Sequence, residues 1–231
     1  MKPGLFITLE GGEGTGKSTQ IKRLSEILTN KGHAVVTTRE PGGTPEAEKI
    51  RELLVRRDSG AWSPMAEALL LFAGRVMHVD TLIKPSVALG KIVISDRFTD
   101  STRAYQAYGH GHPLETIESL NTLTLGDFKP DLTFIFDMPV EIGLERANHR
   151  IFHALKMPMK DAKPHLEKEY KTADAPEDKF ERLGLEFHER MRQGYLEIAK
   201  GDPDRCVIID ATQSLDDVTA DLQRHILGRL G

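Results

Sequence analysis

Two rhythms of apolar and polar residues alternate along this chain. Short runs rich in branched and aromatic side chains read as strands: Leu5-Phe6-Ile7-Thr8-Leu9, Ala34-Val35-Val36-Thr37-Thr38, Lys91-Ile92-Val93-Ile94-Ser95, Asp131 to Asp137 and Val207-Ile208-Ile209-Asp210. Between them, apolar residues three and four apart predict helices from Ser18 to Leu28, Ala47 to Val55, Met65 to Val87, Val140 onward, Phe180 to Ala199 and Leu215 to Leu227, with a shorter polar helix over Ser101 to Gln106. Several of the strands are continuously apolar, as strands covered on both faces are. Alternation at this rhythm predicts an α/β fold, a parallel sheet of about five strands flanked by helices on both faces.

One stretch breaks the rhythm. Residues 151 to 178 hold Pro158, Pro164 and Pro176 among lysines and nearly balancing acids, which predicts a solvated excursion from an otherwise regular domain. No composition shift divides the 231 residues further, so the expectation is a single domain with an unusual insertion at about 146 to 178.

Chemistry enters at Gly11-Gly12-Glu13-Gly14-Thr15-Gly16-Lys17-Ser18, which fits G-x-x-x-x-G-K-[ST] between a predicted strand and a predicted helix. Glycines let consecutive N–H groups converge on phosphate oxygens at the positive end of the following helix. Gly11 to Thr19 therefore reads as the ATP cradle. In it Lys17 reaches the β and γ phosphates and Ser18 ligates Mg²⁺. Asp96, at the carboxyl end of a buried strand, is the second Mg²⁺ candidate, the Walker B acid. Arg39 opens a turn-rich loop at another strand end, where open sheets bind ligands, and reads as an anion contact. Phe72 and Arg75 lie three apart on one helix face, an aromatic plate beside a forked donor, although spacing alone favours Phe72 as core. Arg146 and Arg150 share a face in the same way.

A net charge of -4 argues against nucleic acid as the partner, and no apolar run reaches the roughly 18 residues that span a bilayer. The single cysteine, Cys206, excludes an internal disulfide framework and a cysteine-based zinc cluster. It sits in an apolar run and reads as core. With no signal peptide at the start of the sequence, the expected location is the cytoplasm.

Taken together, Leu9-Glu10-Gly11 with the cradle, Thr38-Arg39-Glu40-Pro41-Gly42-Gly43-Thr44, Leu71-Phe72-Ala73-Gly74-Arg75, Ser95-Asp96-Arg97-Phe98 and Ala104-Tyr105-Gln106 resemble the bacterial thymidylate kinases over nearly the whole chain. The resemblance implies a P-loop nucleoside monophosphate kinase that moves the γ-phosphoryl of ATP to dTMP, working with Mg²⁺, as a cytoplasmic homodimer. It implies that Arg39 and Arg97 grip the dTMP phosphate and that Phe72 stacks on thymine. Arg75 would contact base or phosphate, and Thr102 and Gln106 would read the base edge. By the same resemblance Tyr105 lies near C2′ of the sugar and Glu13 faces the acceptor sugar or the metal shell. The catalytic residues it implies are Lys17, Arg97, and Arg146 with Arg150 in the lid. The segment before Asp178 is longer than the family's usual lid, and Lys179 stands where an arginine is common. Two alternatives stay open at this point: a P-loop kinase for another nucleotide, and a P-loop switch or ATPase, for which the guanine-reading Asn-Lys-x-Asp is missing.

Overall fold

The computed structural model describes residues 4–56, 61–154 and 183–230. Its centre is a five-stranded sheet in the order β2-β3-β1-β4-β5, formed by β1 (Leu5–Gly11), β2 (Val35–Arg39), β3 (Ile92–Asp96), β4 (Leu132–Asp137) and β5 (Cys206–Asp210). All four pairings are parallel, so every strand ends at the same edge. There the register sets Leu9 and Arg39 on either side of Asp96, Gly11 beside Phe136 and Asp137 beside Asp210. Helices feeding this edge are α1 (Lys17–Asn30), α2 (Pro45–Val55), α3 (Pro64–His78), α4 (Lys84–Ala88), α5 (Thr99–Thr102), α6 (Leu114–Leu125), α7 (Val140–Ala154), α8 (Leu185–Gly201) and α9 (Leu215–Leu230).

The two faces of the sheet are not alike. Ile7 and Leu9 of β1, with Ile92, Ile94, Phe134 and Phe136, pack on α1 and α9 through Leu24, Leu28, Leu222 and Ile226, a wholly apolar layer. Strand alternation turns Phe6, Thr8 and Glu10 to the other face. There Thr8 and Thr133 share a 2.8 Å hydrogen bond, and Glu10 is fully buried. Phe6 stacks among Phe98 and Phe128 further down. A buried carboxylate on a core face needs partners, and Glu10 finds them at the edge where the site lies.

Several boundaries differ from the sequence reading. The helix expected over Met65 to Val87 is α3, a wide π turn at Val79–Ile83 and α4. The polar helix at Ser101 likewise becomes α5 followed by a π turn over Arg103–Gly109. α6 was not expected: of its five apolar residues only Ile117 and Leu125 are buried, and tertiary packing alone singles them out. α7 runs on through residues 151–154, so the excursion begins later than its proline content suggests. The remainder of that excursion, and the expected helix start at Phe180, lie outside the described residues. Ser63 and Thr44 cap α3 and α2, each ahead of a proline at the first helical position.

Candidate active site

The cradle follows β1 directly. A Cβ on Gly11, at φ 128°, would sit 2.4 Å from the Phe136 carbonyl oxygen, so the loop leaves β1 against β4 only because that position is glycine. Lys17 curls back, donating from Nζ to the carbonyls of Gly11 (3.0 Å) and Gly12 (2.7 Å) and to Thr15 Oγ1 (3.2 Å). Burial, with Arg97 close by, lowers its pKa to about 8. Ser18 and Thr19 are exposed in the first turn of α1, and the Ser18 hydroxyl donates to Asp96 Oδ2 at 2.9 Å. β3 lies next to β1 in the sheet, which is why residues 78 apart in sequence meet.

Arg97 is the first residue after β3 and the one non-glycine described residue at positive φ, 72°. Its guanidinium crosses the mouth of the cradle, donating to the Gly11 carbonyl (3.0 Å), Ser101 Oγ (3.1 Å), Tyr195 Oη (3.0 Å) and Glu13 Oε1 (2.8 Å). Tyr105 lies under it, ring centroid 4.9 Å from Cζ, and its hydroxyl donates to Glu13. Burial pushes the Glu13 carboxyl upward, but Arg97 and Lys17 outweigh that and hold it down at about 2. Lys17, Glu13, Arg97 and Tyr105, predicted from scattered motifs, thus form one cluster.

A second cluster lies along α3. Arg75, 2% exposed, donates from Nε to Glu40 Oε2 at 2.6 Å and from Nη2 to Thr102 Oγ1 at 2.9 Å, with Cζ 4.9 Å from the Phe72 ring. Glu40 in turn faces His78 Nδ1 at 2.9 Å, and His78 Nε2 meets Thr38 Oγ1 at 2.6 Å. Two buried atoms here have no hydrogen-bond partner: Arg75 Nη1, a donor, and Gln106 Oε1, an acceptor. The Gln106 amide is oriented by Nε2, 3.5 Å from Glu67 Oε2. Thr102 accepts from Arg75 and so orients it. Phe72, 2% exposed, packs with Ala68, Ala107 and Ile117, in keeping with its reading as core.

Three expected site residues stand apart from these clusters. Arg39 is half exposed and donates to Glu48 Oε2 at 3.1 Å, at the side of the opening. Arg146 is exposed on α7 and donates to the Ala211 carbonyl at 3.2 Å, past the end of β5. Arg150 belongs to α7, but its side chain lies outside the described residues. Sequence reading missed Glu40, His78, Ser101, Tyr195 and Arg192, which grips Asp137 through two bonds of 2.7 and 3.0 Å. Nothing in the helical spacing of α8 marks Arg192 or Tyr195. Glu10 does carry a signal, as a lone carboxylate at the end of an apolar strand.

A parallel sheet ordered 2-3-1-4-5, a phosphate cradle after β1, an acid at the end of β3 on the cradle serine and Arg97 crossing the cradle mouth define a P-loop nucleoside monophosphate kinase. Residues 9–161 match the family model described as thymidylate kinase. The thymidylate kinase of Caulobacter vibrioides is 48% identical over 231 residues, all of both chains. That of Pseudomonas fluorescens is 47% identical over 96% of this chain and 95% of its own. The crystal structure of thymidylate kinase from Ehrlichia chaffeensis superposes with a TM-score of 0.71 at 34% identity, covering 97% of this chain and 99% of that one. The chain belongs to the thymidylate kinase family.

Proposed function

We propose that the protein transfers the γ-phosphoryl of ATP to dTMP, giving dTDP and ADP. The observation behind this acceptor is the buried, unpartnered pair of Arg75 Nη1 and Gln106 Oε1. A guanidinium N–H suits a carbonyl oxygen and an amide oxygen suits a ring N–H, the pattern of the thymine O4 and N3–H edge. Cytosine presents the reverse at both atoms. Turning the Gln106 amide over would set its oxygen, another acceptor, against Glu67 Oε2 in place of the nitrogen that lies 3.5 Å from it.

Arg97, fixed across the cradle mouth, and Arg39, at the adjacent strand end, bind the acceptor phosphate. Phe72, Thr102 and Gln106 line the base end with Arg75, and Tyr105 and Glu13 close the sugar side. Gly11 to Thr19 bind the donor phosphates, where Lys17 leaves its carbonyl partners for phosphate oxygens. Hard oxygen donors are what Mg²⁺ selects, and Ser18 Oγ with the Asp96 carboxylate offers them 2.9 Å apart. When bound, Mg²⁺ neutralises charge on the donor phosphates. Arg146 and Arg150, one turn apart on α7, are assigned the remaining positive charge near the transferring group. Phosphoryl transfer asks for positioning and charge neutralisation above all, and these residues supply both.

The kinase is read as a single domain with its lid at about 146 to 178, acting in the cytoplasm. No helix among the described residues is long and apolar enough to cross a membrane. A homodimer is supported by exposed Leu53 on α2, Leu69 and Met77 on α3 and Leu123 on α6, of which Leu123 is 82% exposed. Specific turnover of dTMP, dUMP, dCMP, AMP and GMP with ATP and Mg²⁺ tests the acceptor: dTMP should lead, dUMP trail it, and dCMP and the purines be nearly inert. Faster turnover of dCMP or a purine overturns it.

A further inference from the structure

Arg97, at φ 72°, has a left-handed backbone conformation that is unfavourable for a residue with a Cβ, so something must hold it there. Both peptide groups that flank it are pinned. Its own N–H donates to the Leu9 carbonyl at 3.0 Å. Its carbonyl accepts from Ser95 Oγ at 2.8 Å. The next N–H, that of Phe98, donates to Glu10 Oε1 at 2.7 Å, and this last bond closes the turn. Rotating Arg97 into an ordinary conformation would swing the Phe98 N–H away and leave a fully buried carboxylate with one partner fewer.

The other carboxylate oxygen serves the side chain of the same arginine. Ser101 Oγ donates to Glu10 Oε2 at 2.5 Å, and Tyr195 Oη lies 3.3 Å from that oxygen and 2.8 Å from Ser101 Oγ. Both hydroxyls accept from Arg97 Nη1. With Glu10 ionised, donation runs from the guanidinium through the two hydroxyls to its carboxylate. The three residues come from β1, α5 and α8, and each is buried, whereas the Arg97 side chain is 16% exposed. We infer that Glu10, Ser101 and Tyr195 are positioning residues for the acceptor phosphate: one carboxylate fixes both the backbone turn and the guanidinium of Arg97.

This rests on the reading of Arg97 as a dTMP phosphate contact, and a double-mutant cycle separates the two ideas. Tyr195→Phe removes one hydroxyl and no packing volume. It should weaken dTMP binding measured by calorimetry about tenfold, the worth of a hydrogen bond to a charged group, while KM for ATP moves less than twofold. Ser101→Ala should act alike. In an Arg97→Ala background, Tyr195→Phe should change dTMP affinity by less than twofold, because the group it positions is gone. Equal tenfold losses in both backgrounds would overturn the inference, as would an equal rise in KM for ATP. Should the parent protein fail to bind dTMP at all, the acceptor assignment is what fails.

Discussion

Gly14 of the phosphate cradle and Gly143 of α7 touch backbone to backbone. A Cβ on Gly14 would lie 2.0 Å from the Gly143 carbonyl oxygen, and a Cβ on Gly143 would lie 2.6 Å from the Glu13 carbonyl oxygen. Neither neighbour is a flexible side-chain end, so neither can give way cheaply. The cradle is thus seated on the first turns of the helix that carries Arg146 and Arg150. Gly143→Ala should displace the loop and lower kcat/KM for ATP at least about tenfold, since misplacing donors by an ångström is costly in a positioned reaction. Unchanged kinetics for Gly143→Ala would show that the contact is incidental.

Lys17 is asked for charge. Replacing it with alanine leaves the Gly11 carbonyl its bond from Arg97 and the Gly12 carbonyl its bond from Thr15, but removes a donor at the transferring group, typically a hundredfold or more in kcat. Circular dichroism should show a folded protein, and near-normal turnover would refute the role.

Glu10 titrates where it can be followed. Burial foremost, then the neighbouring Asp100, pushes its carboxyl from an ordinary 4.5 up to about 7, against the opposing pull of Ser101, Arg97 and the Phe98 N–H. A raised folded pKa means that the fold favours the protonated form; the stability contributed is full below pH 4.5 and is lost as pH rises through about 7. Glu10→Gln has no such titration. The melting temperature of the parent relative to Glu10→Gln should therefore fall steadily between pH 5 and 7 and level off above. A difference that stays flat over that range contradicts the shift.

Gln106 offers a buried acceptor whose loss should be read in specificity. Gln106→Leu removes the oxygen that meets a ring N–H, leaving that N–H unpaired in the complex at a cost of about 1–3 kcal/mol. In kcat/KM for dTMP this amounts to a loss of roughly ten- to hundredfold. The ATP side should be unaffected, and equal losses for both substrates would place Gln106 outside the base pocket.

Local pattern was enough to read much of this protein from its sequence. The apolar runs at Phe6, Ile94 and Phe134 need only a period and a length to declare themselves strands. The cradle's glycines, Lys17 and Ser18 act within a few residues of one another, and a motif of that kind keeps its meaning in one dimension. Resemblance over dispersed motifs supplied the thymidylate kinase family, which the comparisons bear out. The two π turns and α6 escaped because propensity there is weak and burial against α3 and α8 decides the matter.

What tertiary structure alone decided is which side chains hold the chemical ones in place. Strand order, invisible in a list of strands, puts β3 between β1 and β2 and so brings Asp96 to Ser18 and Arg97 to Gly11. Arg75 proved to be aimed by Glu40, His78 and Thr38, and Arg97 by Glu10, Ser101 and Tyr195, from elements up to 185 residues apart. No sequence window of any width holds such pairs, because hydrogen bonding falls off within a few tenths of an ångström while chain separation carries no distance at all. The sequence determined which groups were available for the chemistry; folding determined which atoms they face.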